Sequence, residues 1–386
     1  MKIAYIYDVI YPYVKGGAEK RFWELARRLS AKGHEVHIFG MQSWEGKANF
    51  IKEGVHIHGV CRHNKLYTKT GVRSIKQVLC FTAGILASLW RNKFDIIDCN
   101  AFPYLPFFPV RLFSLFKATP LVVTWQEVWG GYWYKYLGYT KGITARFIEK
   151  AVIKLSDNII AHSVKVKSDL ILCGAKDKNI EVIPNGIELE AINQVPEKQK
   201  DTDLIFVGRL IKEKNVDILI KAVYLLKKEL GRIKCVIVGQ GPQSDALMDL
   251  AEKLGLKEDI VFTGFLEHEE IISNMKAARV FVLPSRREGF GIVVVEAMAC
   301  GLPVIVVNSP MNASVELIKS GSNGFVCSPD EDDISRKALV LLKDVSLRNN
   351  MSSFARDSAK GYDWGRAADR NEALYMSIIN KGKIIR

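Results

Sequence analysis

Short apolar runs that end at Gly, Asn, Asp or Pro recur along the whole chain and predict strands. Most runs are continuously apolar, which is typical of parallel strands covered by helices on both faces. Helical spacing fills the intervals, as at Ala18–Ala31, Val216–Leu230 and Gln243–Leu254. Each half is therefore predicted to be an α/β domain with a doubly wound sheet of six strands. The predicted strands are Ile3–Tyr7, Val36–Phe39, Phe94–Cys99, Leu121–Thr124, Asn158–Ala161 and Glu181–Ile183 in the first half, and Leu204–Val207, Cys235–Val238, Ile260–Thr263, Val280–Leu283, Val304–Val307 and Phe325–Cys327 in the second.

The halves are joined by a polar segment, residues 193–203, which lacks periodicity and contains Pro196. It separates a predicted first domain, residues 1–195, from a second, residues 196–364. An amphipathic stretch follows, so residues 365–386 are predicted to form a helix that packs back on the first domain. Ligand sites in such sheets lie at the carboxyl ends of strands, so two facing halves are expected to enclose a deep cleft.

Charge is distributed unevenly along the 386 residues. Residues 1–195 hold 27 Lys and Arg against 16 Asp and Glu, whereas the remainder holds 28 against 26. A basic first half indicates an anionic partner such as a phosphorylated acceptor, a membrane surface or nucleic acid. No basic run is interleaved with exposed aromatic residues as in a known nucleic-acid module, so we expect no nucleic-acid partner.

The seven cysteines are scattered and odd in number, which favours a reducing compartment over a disulfide framework or a zinc site. The chain opens directly on a predicted strand, without a charged leader. Neither of its longest apolar runs suits a membrane span. These features predict a cytoplasmic protein, with peripheral contact at the inner face of the membrane left open.

The segment from Ser285 to Gly301 carries the clearest chemical pattern. Glu288 follows a predicted strand, and Gly289 and Gly291 leave room for a ligand to approach the backbone. The next residues predict a helix whose free N–H groups favour a phosphate, and Glu296 lies about one and a half turns inside it. The pattern predicts a diphosphate site flanked by two carboxylates. The alternative is that both are surface acids and that residues 292–295 form a strand, because four β-branched residues open the proposed helix.

Two glycine pairs follow other predicted strands. Gly16 and Gly17 open a helix and direct N–H groups at an anion; the alternative is a turn in which Glu19 is a first-turn charge of the helix. Gly239 and Gly241 imitate half of a dinucleotide fingerprint whose third glycine is replaced by Ser244. That loop is interpreted as lining a nucleotide pocket.

The spacing from Glu288 to Glu296 resembles the Glu-x7-Glu signature of retaining GT-B-fold glycosyltransferases, and the whole chain resembles glycosyltransferase family 4. The resemblance extends over essentially all 386 residues, and together the motifs are specific to the family. Six further stretches match in the expected order: Gly16-Gly17-Ala18-Glu19, Pro184-Asn185-Gly186-Ile187, Val207-Gly208-Arg209-Leu210 with Lys214, Val238-Gly239-Gln240-Gly241-Pro242, Phe262-Thr263-Gly264-Phe265, and Gly321–Gly324 before Phe325.

The resemblance implies two Rossmann-like domains and a retaining, metal-independent hexosyltransferase. It would use a nucleotide-diphosphate sugar as donor and a hydroxyl of a glycan, a lipid-linked molecule or a small molecule as acceptor. The first domain would bind the acceptor and the second the donor. Arg209 and Lys214 would hold the diphosphate. Glu288 would bind the hydroxyls of the transferred sugar, and Glu296 would bind the ribose. Because the two cations and a helix N-terminus can take the place of a metal ion, neither a metal nor another cofactor is expected. The implied catalytic residues are Arg209, Lys214 and Glu288, and the implied donor-binding residues are Gly16, Gly17, Gly208, Gly239, Gly241, Phe265, Gly289, Phe290, Gly291 and Glu296.

The sequence departs from the family at Gln126, where relatives carry a histidine near the reacting centre. Glutamine cannot titrate, although it hydrogen-bonds sugar hydroxyls, and Glu127 is a candidate to compensate. Trp129 and His162 complete the expected acceptor side. The aromatic stretch 125–139 suits sugar stacking, a bilayer surface or ordinary packing. Alternatives to the transferase are a nucleotide-sugar epimerase of the same architecture and a catalytically weak nucleotide-sugar-binding relative. An NAD-dependent oxidoreductase ranks behind them because neither half has a complete glycine fingerprint.

Overall fold

The computed structural model describes residues 1–62, 66 and 73–384, the last three by their backbone alone. The chain divides into two compact units, one comprising Met1–Asn185 and the chain from Trp364 onward, the other Gly186–Asp363. The change of unit precedes the predicted linker because Ile187 and Ile192 are buried in the core of the second unit. Residues 385 and 386 of the predicted C-terminal segment lie outside the described residues.

The first unit contains one sheet of eight strands, in the order β3-β4-β2-β1-β5-β6-β7-β8. All neighbours are parallel except β3, which runs antiparallel to β4. The prediction of six strands was therefore wrong for this half. The bounds are β1 Lys2–Ile6, β2 Glu35–Gln42, β3 Asn49–Lys52, β4 Val55–Arg62, β5 Ile96–Asn100, β6 Leu121–Trp125, β7 Ile159–Ala161 and β8 Ile180–Val182, with α1 Gly17–Ala31, α2 Ile75–Trp90, α3 Phe107–Lys117, α4 Tyr132–Leu137, α5 Tyr139–Lys154 and α6 Val164–Leu172.

Both faces of this sheet are buried. Tyr5 packs with Phe22 of α1 on one face, while the adjacent Ile6 belongs to the cluster that includes Phe81 of α2 and Phe113 of α3 on the other. Successive strand residues point to opposite faces, so a strand covered on both sides must be apolar throughout. This is why continuous apolar runs predicted the central strands.

The second unit contains a parallel six-stranded sheet in the order β11-β10-β9-β12-β14-β16, which confirms the predicted strand number there. A separate parallel pair joins β13 and β15. Chain order reverses beside β9, where open α/β sheets place ligands. The bounds are β9 Thr202–Val207, β10 Cys235–Val238, β11 Ile260–Gly264, β12 Ala278–Leu283, β13 Arg287–Glu288, β14 Val304–Val307, β15 Met311–Asn312 and β16 Gly324–Cys327, with α7 Leu189–Gln194, α8 Val216–Leu230, α9 Ser244–Lys253, α10 His268–Ala277, α11 Ile292–Ala299, α12 Glu331–Lys343 and α13 Val345–Ala359.

The last helix, α14 Trp364–Ile384, belongs to the first unit. Its Trp364 is fully buried, and the Tyr375 hydroxyl donates to Oδ2 of Asp98 on β5 at 2.6 Å. Glu372 lies 2.6 Å from Nε2 of His34. In the described part of the chain, no helix combines the length and apolar character that crossing a membrane requires.

Candidate active site

Three loops at the carboxyl ends of β9, β10 and β11 lie side by side in the second unit. The Gly208 N–H donates to the Val238 carbonyl at 3.0 Å, and the Gly239 N–H donates to the Gly264 carbonyl at 2.8 Å. Arg209 and Phe265 follow β9 and β11 at this edge, and both are exposed. The structure therefore brings the predicted donor-binding residues of these loops to one edge of the sheet.

The glycines at 239 and 241 are required by backbone packing. A Cβ atom on Gly239 would lie 2.0 Å from the Gly208 carbonyl oxygen, and one on Gly241 would lie 2.2 Å from that of Leu210. Ser244, in place of a third glycine, accepts from the Gly241 N–H at 3.1 Å and donates to its carbonyl at 2.8 Å. Ser244 interrupts the dinucleotide motif, but its two hydrogen bonds to Gly241 hold this loop in place.

Lys214 and Glu288 are in direct contact. Lys214 Nζ donates to Glu288 Oε1, and the two side chains are only 18% and 12% exposed. Lys214 also lies against the loop that follows β9, since a Cβ atom on Gly208 would be 3.9 Å from the Cε atom of Lys214. The β9 loop and the β12 loop are therefore joined by a largely buried ion pair.

Glu288 is held in the short strand β13, where the sequence predicted a loop. The residue pairs with Asn312 of β15. Buried Asn312 donates through Nδ2 to the carbonyls of Ser285 and Val307, at 3.0 and 2.8 Å. Sequence reasoning missed Asn312, because no local pattern distinguishes it from the other asparagines.

Residues 292–299 form a helix, so the strand alternative for this segment was wrong. Gly291 precedes it at φ +96°, a conformation that favours glycine, and a Cβ atom there would lie only 2.9 Å from the Cβ of Ser314. Phe290 is buried against Tyr362, with ring centroids 5.7 Å apart. Phe290 thus lies in the core, with Gly289 preceding it in the loop.

Glu296 is 7% exposed on α11, and its Oε1 lies 3.0 Å from Nε2 of His268. His268 is the first residue of α10 and was missed by sequence reasoning. The signal available was its place just after Phe265, at the end of β11. The contact with His268 orients the Glu296 carboxylate, which lies more than one turn inside the helix that follows Glu288.

In the first unit, Gly16 is the N-cap of α1 and Gly17 its first residue. A Cβ on Gly16 would lie 2.5 Å from Oε2 of Glu19, so the Glu19 carboxylate approaches the N-terminus of the helix. A carboxylate there interacts favourably with the helix dipole. This contact agrees with the plainer interpretation of the two glycines as a turn with a first-turn acid.

The loop after β6 is organised by a buried carboxylate that the sequence did not reveal. Glu149 accepts from the N–H groups of Trp129 and Gly130, both at 2.8 Å, and from the Tyr104 hydroxyl at 2.6 Å. Burial and the nearby Glu149 raise the pKa of Tyr104 well above its ordinary value. The Trp129 ring packs on Phe102, with centroids 5.2 Å apart, so ordinary packing accounts for this tryptophan.

Gln126 and Glu127 are half-buried in the same loop, and Gln126 Nε2 donates to Oδ1 of Asn100 at 3.3 Å. His162 is only 1% exposed, and neither ring nitrogen has a hydrogen-bond partner among the residues that the structure describes. Burial and the charge of Arg21 lower its pKa well below the ordinary value, so it is neutral. The structure therefore buries His162 near Arg21, directly after β7, where Ala161 pairs with Trp125, the residue before Gln126.

Arg21 contacts the Pro184-Asn185-Gly186-Ile187 stretch that the chain shares with the family. Its Nη1 donates to the Pro184 carbonyl at 2.9 Å and to Oδ1 of Asn185 at 3.2 Å. The side chain is fully buried, and burial lowers its pKa. These hydrogen bonds connect α1 to residues 184 and 185, where the chain leaves the first unit.

Among the described residues, Glu35, His37 and His56 form a group that could hold a metal ion, with ligand atoms within 4.8 Å of one another. His37 faces His58 through a 2.8 Å hydrogen bond, and Glu35 pairs with Lys2 at 2.8 Å. Burial lowers the pKa of His58 to about 4. Glu35 and His37 thus have partners within the protein, and the His56 ring stacks on that of His37, with centroids 4.5 Å apart.

The chain matches two family models, "Glycosyltransferase Family 4" over residues 15–191 and "Glycosyl transferases group 1" over residues 188–358. Glycogen synthase of Mycobacterium tuberculosis is 26% identical over 95% of this chain and 92% of its own length. The solved sucrose-phosphate synthase of Thermosynechococcus elongatus is 20% identical, with a TM-score of 0.81 over 98% of this chain and 99% of its own. The Anabaena protein HepE, solved in complex with UDP-glucose, is 19% identical, with a TM-score of 0.75 over 98% and 100% of the two chains.

The two parallel-sheet units and these matches define a glycosyltransferase of the GT-B type, a class that uses sugar-nucleotide donors. The chain belongs to glycosyltransferase family 4. The matched models meet near residue 190, close to the point where the structural units change.

Proposed function

We propose that this glycosyltransferase transfers a hexose from a nucleotide-diphosphate sugar to an acceptor hydroxyl, with retention of the anomeric configuration and without a metal ion. The observation that carries the proposal is the contact between Lys214 and Glu288, which joins a cation from the β9 loop to a carboxylate from the β12 loop. A UDP-sugar is the first donor to test, because HepE binds UDP-glucose.

The reaction breaks the bond between the sugar C1 and the diphosphate oxygen and forms a bond from C1 to the acceptor oxygen. Negative charge builds on the departing diphosphate, and fixed cations stabilise it most effectively where water is excluded. Lys214 and Arg209 supply that charge, while Glu288 accepts hydrogen bonds from hydroxyls of the sugar. The N–H groups that open α11 face the diphosphate, and Glu296 holds the ribose.

The proposed proton path needs no protein base. The departing phosphate oxygen takes the proton of the acceptor hydroxyl on the same face of the sugar, so a glutamine at position 126 is compatible with transfer. Gln126 and Glu127 then act as hydrogen-bonding groups for the acceptor, which binds the first unit. The acceptor is a hydroxyl of a glycan, a lipid-linked molecule or a small molecule, and the enzyme works in the cytoplasm with peripheral contact at the membrane.

Replacing Lys214 with Ala tests the proposal. We expect the rate of sugar transfer to fall on the order of 10²–10³-fold, as for loss of one group that stabilises developing charge. Lys212→Ala is the matched control, because Lys212 is exposed in the same turn. Equal rates for the two variants would refute the assignment of Lys214, provided that both melt near the wild-type temperature.

Product analysis separates the alternatives. NMR of the glycoside should show the anomeric configuration of the donor; an inverted product would contradict retention. Conversion of the donor to another nucleotide sugar without any acceptor would support the epimerase. Donor binding without transfer or hydrolysis would support the catalytically weak relative.

A further inference from the structure

The first unit exposes a continuous apolar surface on two neighbouring helices, which we call the α2–α3 face. Its most exposed member, Phe116, shows 70% of its surface to solvent. The opposite sides of the same helices bury Phe81 and Phe113 in the core, so the exposed side chains are additional to those that the fold needs. The face consists of Ile75, Leu79 and Trp90 on α2 and Phe108, Leu112, Leu115 and Phe116 on α3.

The two helices present one surface, because their exposed residues meet. The ring of Trp90 lies 6.3 Å from that of Phe116, between centroids. Exposed residues recur along α3 at positions 108, 112, 115 and 116, which places them on one side of the helix. Contiguous exposed apolar patches of this kind are typical of interaction sites.

The charge around this face is predominantly positive, although Arg111 of α3 pairs with the exposed Asp157. Neither helix contains Asp or Glu, and between Glu53 and Glu127 the sequence has only Asp95 and the buried Asp98. Four exposed cations flank the face, and within the described residues none of them forms an ion pair: Lys76, Arg91, Lys93 and Lys117. The ammonium of Lys117 lies 4.9 Å from the centre of the Trp90 ring. This cation therefore lies directly beside the apolar side chains of the face.

We propose that the α2–α3 face docks on an anionic phospholipid bilayer, with its aromatic and aliphatic side chains in the boundary between headgroups and acyl chains. Tryptophan and phenylalanine are favourable at that depth, and lysine and arginine gain from anionic headgroups. A second copy of the chain fits less well, since a two-fold contact would oppose the same cations to one another. The inference rests on the membrane contact in the proposed function and names the surface that makes it.

Co-sedimentation of the full chain with vesicles tests this inference. Wild type should bind vesicles that contain phosphatidylglycerol, bind pure phosphatidylcholine vesicles weakly, and lose binding as salt is added. Leu115→Ser combined with Phe116→Ser should weaken binding at least about tenfold, because both side chains leave water on docking. Lys117→Glu should weaken binding to the anionic vesicles in particular.

The matched control is Phe354→Ser, since Phe354 is 58% exposed on α13 of the second unit. It should bind vesicles as wild type does. A thermal shift with UDP, retained in every variant, shows that folding and donor binding are intact and separates this test from that of the proposed transfer. The inference is overturned if wild type ignores the anionic vesicles, if the control weakens binding as much as the double variant, or if the double variant instead abolishes a dimer seen by sedimentation velocity.

Discussion

Lys214 and Glu288 lie 74 positions apart in sequence, and each supplies the partner that the other needs in a poorly hydrated position. A charge at such a site is costly unless a counter-charge or hydrogen bond compensates it. Their contact fixes the direction of both side chains before any substrate arrives. Pre-orientation of this kind lowers the reorganisation needed when charge develops on a substrate.

At this scale the sequence predicted residue types but not their partners. Glu288 and Glu296 were found because their spacing forms a recognisable motif. Asn312, Glu149 and His268 were missed, because each acts through a contact with a residue distant in sequence. A carboxylate or amide that holds a loop has no local pattern of its own.

His268 is predicted to position Glu296 for the donor. In His268→Ala the carboxylate loses its 3.0 Å partner, so we expect the Kd for UDP to rise by about three- to tenfold, as for loss of one typical hydrogen bond. His268→Gln, which can still donate, should restore much of the affinity. Isothermal titration with UDP measures both.

The control for this substitution is His34→Ala. His34 also pairs with a glutamate, Glu372, but it lies in the first unit. Its loss should leave the affinity for UDP unchanged. An unchanged Kd in His268→Ala itself would show that Glu296 does not need the histidine.

Among the elements, the strands buried on both faces were predictable, and so were the edge strands β8, β11 and β16, whereas β3 and β4 of the first sheet were missed. The strands β3 and β4 carry polar residues such as Asn49, His56 and His58 and lie at one side of the sheet, so their pattern is not continuously apolar. The helix α11 begins with four β-branched residues, yet tertiary burial of Val294 and Val295 outweighs their weak helix propensity. Propensity alone could not decide this segment.

The attachment of α14 depends on a buried polar cluster that no sequence pattern shows. Asp98 accepts from the hydroxyls of Tyr375 and Thr124, both at 2.6 Å. Burial raises the pKa of Asp98 to about 6, and these two hydrogen bonds oppose that rise. The folded unit therefore favours the protonated carboxyl more than the unfolded chain does.

This raised pKa predicts a pH dependence of stability. The folded unit holds the Asp98 proton more tightly than the unfolded chain does, so the contribution is complete below about pH 4 and is lost as the pH rises through about 6. The excess stability of wild type over Asp98→Asn should therefore shrink by up to about 3 kcal/mol between pH 4 and pH 7. Denaturant unfolding across this range measures the difference.

Asp95→Asn is the control for loss of a carboxylate, because Asp95 lies three positions earlier and is exposed. Its difference from wild type should vary little over the same range. A constant difference between wild type and Asp98→Asn would show that Asp98 keeps the same proton affinity in the folded and unfolded chain.

For the whole molecule, the repeated α/β pattern and the charge imbalance were both visible in the sequence. The first 195 residues carry a net charge of +11, from 27 cations and 16 acids, whereas the rest carry +2, from 28 and 26. The structure shows that part of this positive charge lies around the exposed apolar residues of the α2–α3 face. The last helix, which was predicted to pack on the first domain, belongs to the first unit and contacts it through residues 277 positions apart, a pair that local patterns do not identify.

The donor base can be identified on the whole molecule by a thermal-shift panel of UDP, GDP, ADP and NAD. A ligand at a hundred times its Kd stabilises the fold that binds it by about 2.7 kcal/mol, and we expect this for UDP alone. Because the chain has two units, the shift should fall on the transition of the second unit if the two unfold separately. Glu296→Ala should lose most of the shift while keeping the melting temperature of the protein without nucleotide. A shift with NAD alone would instead favour an oxidoreductase, and a UDP shift unchanged in the variant would remove Glu296 from the donor site.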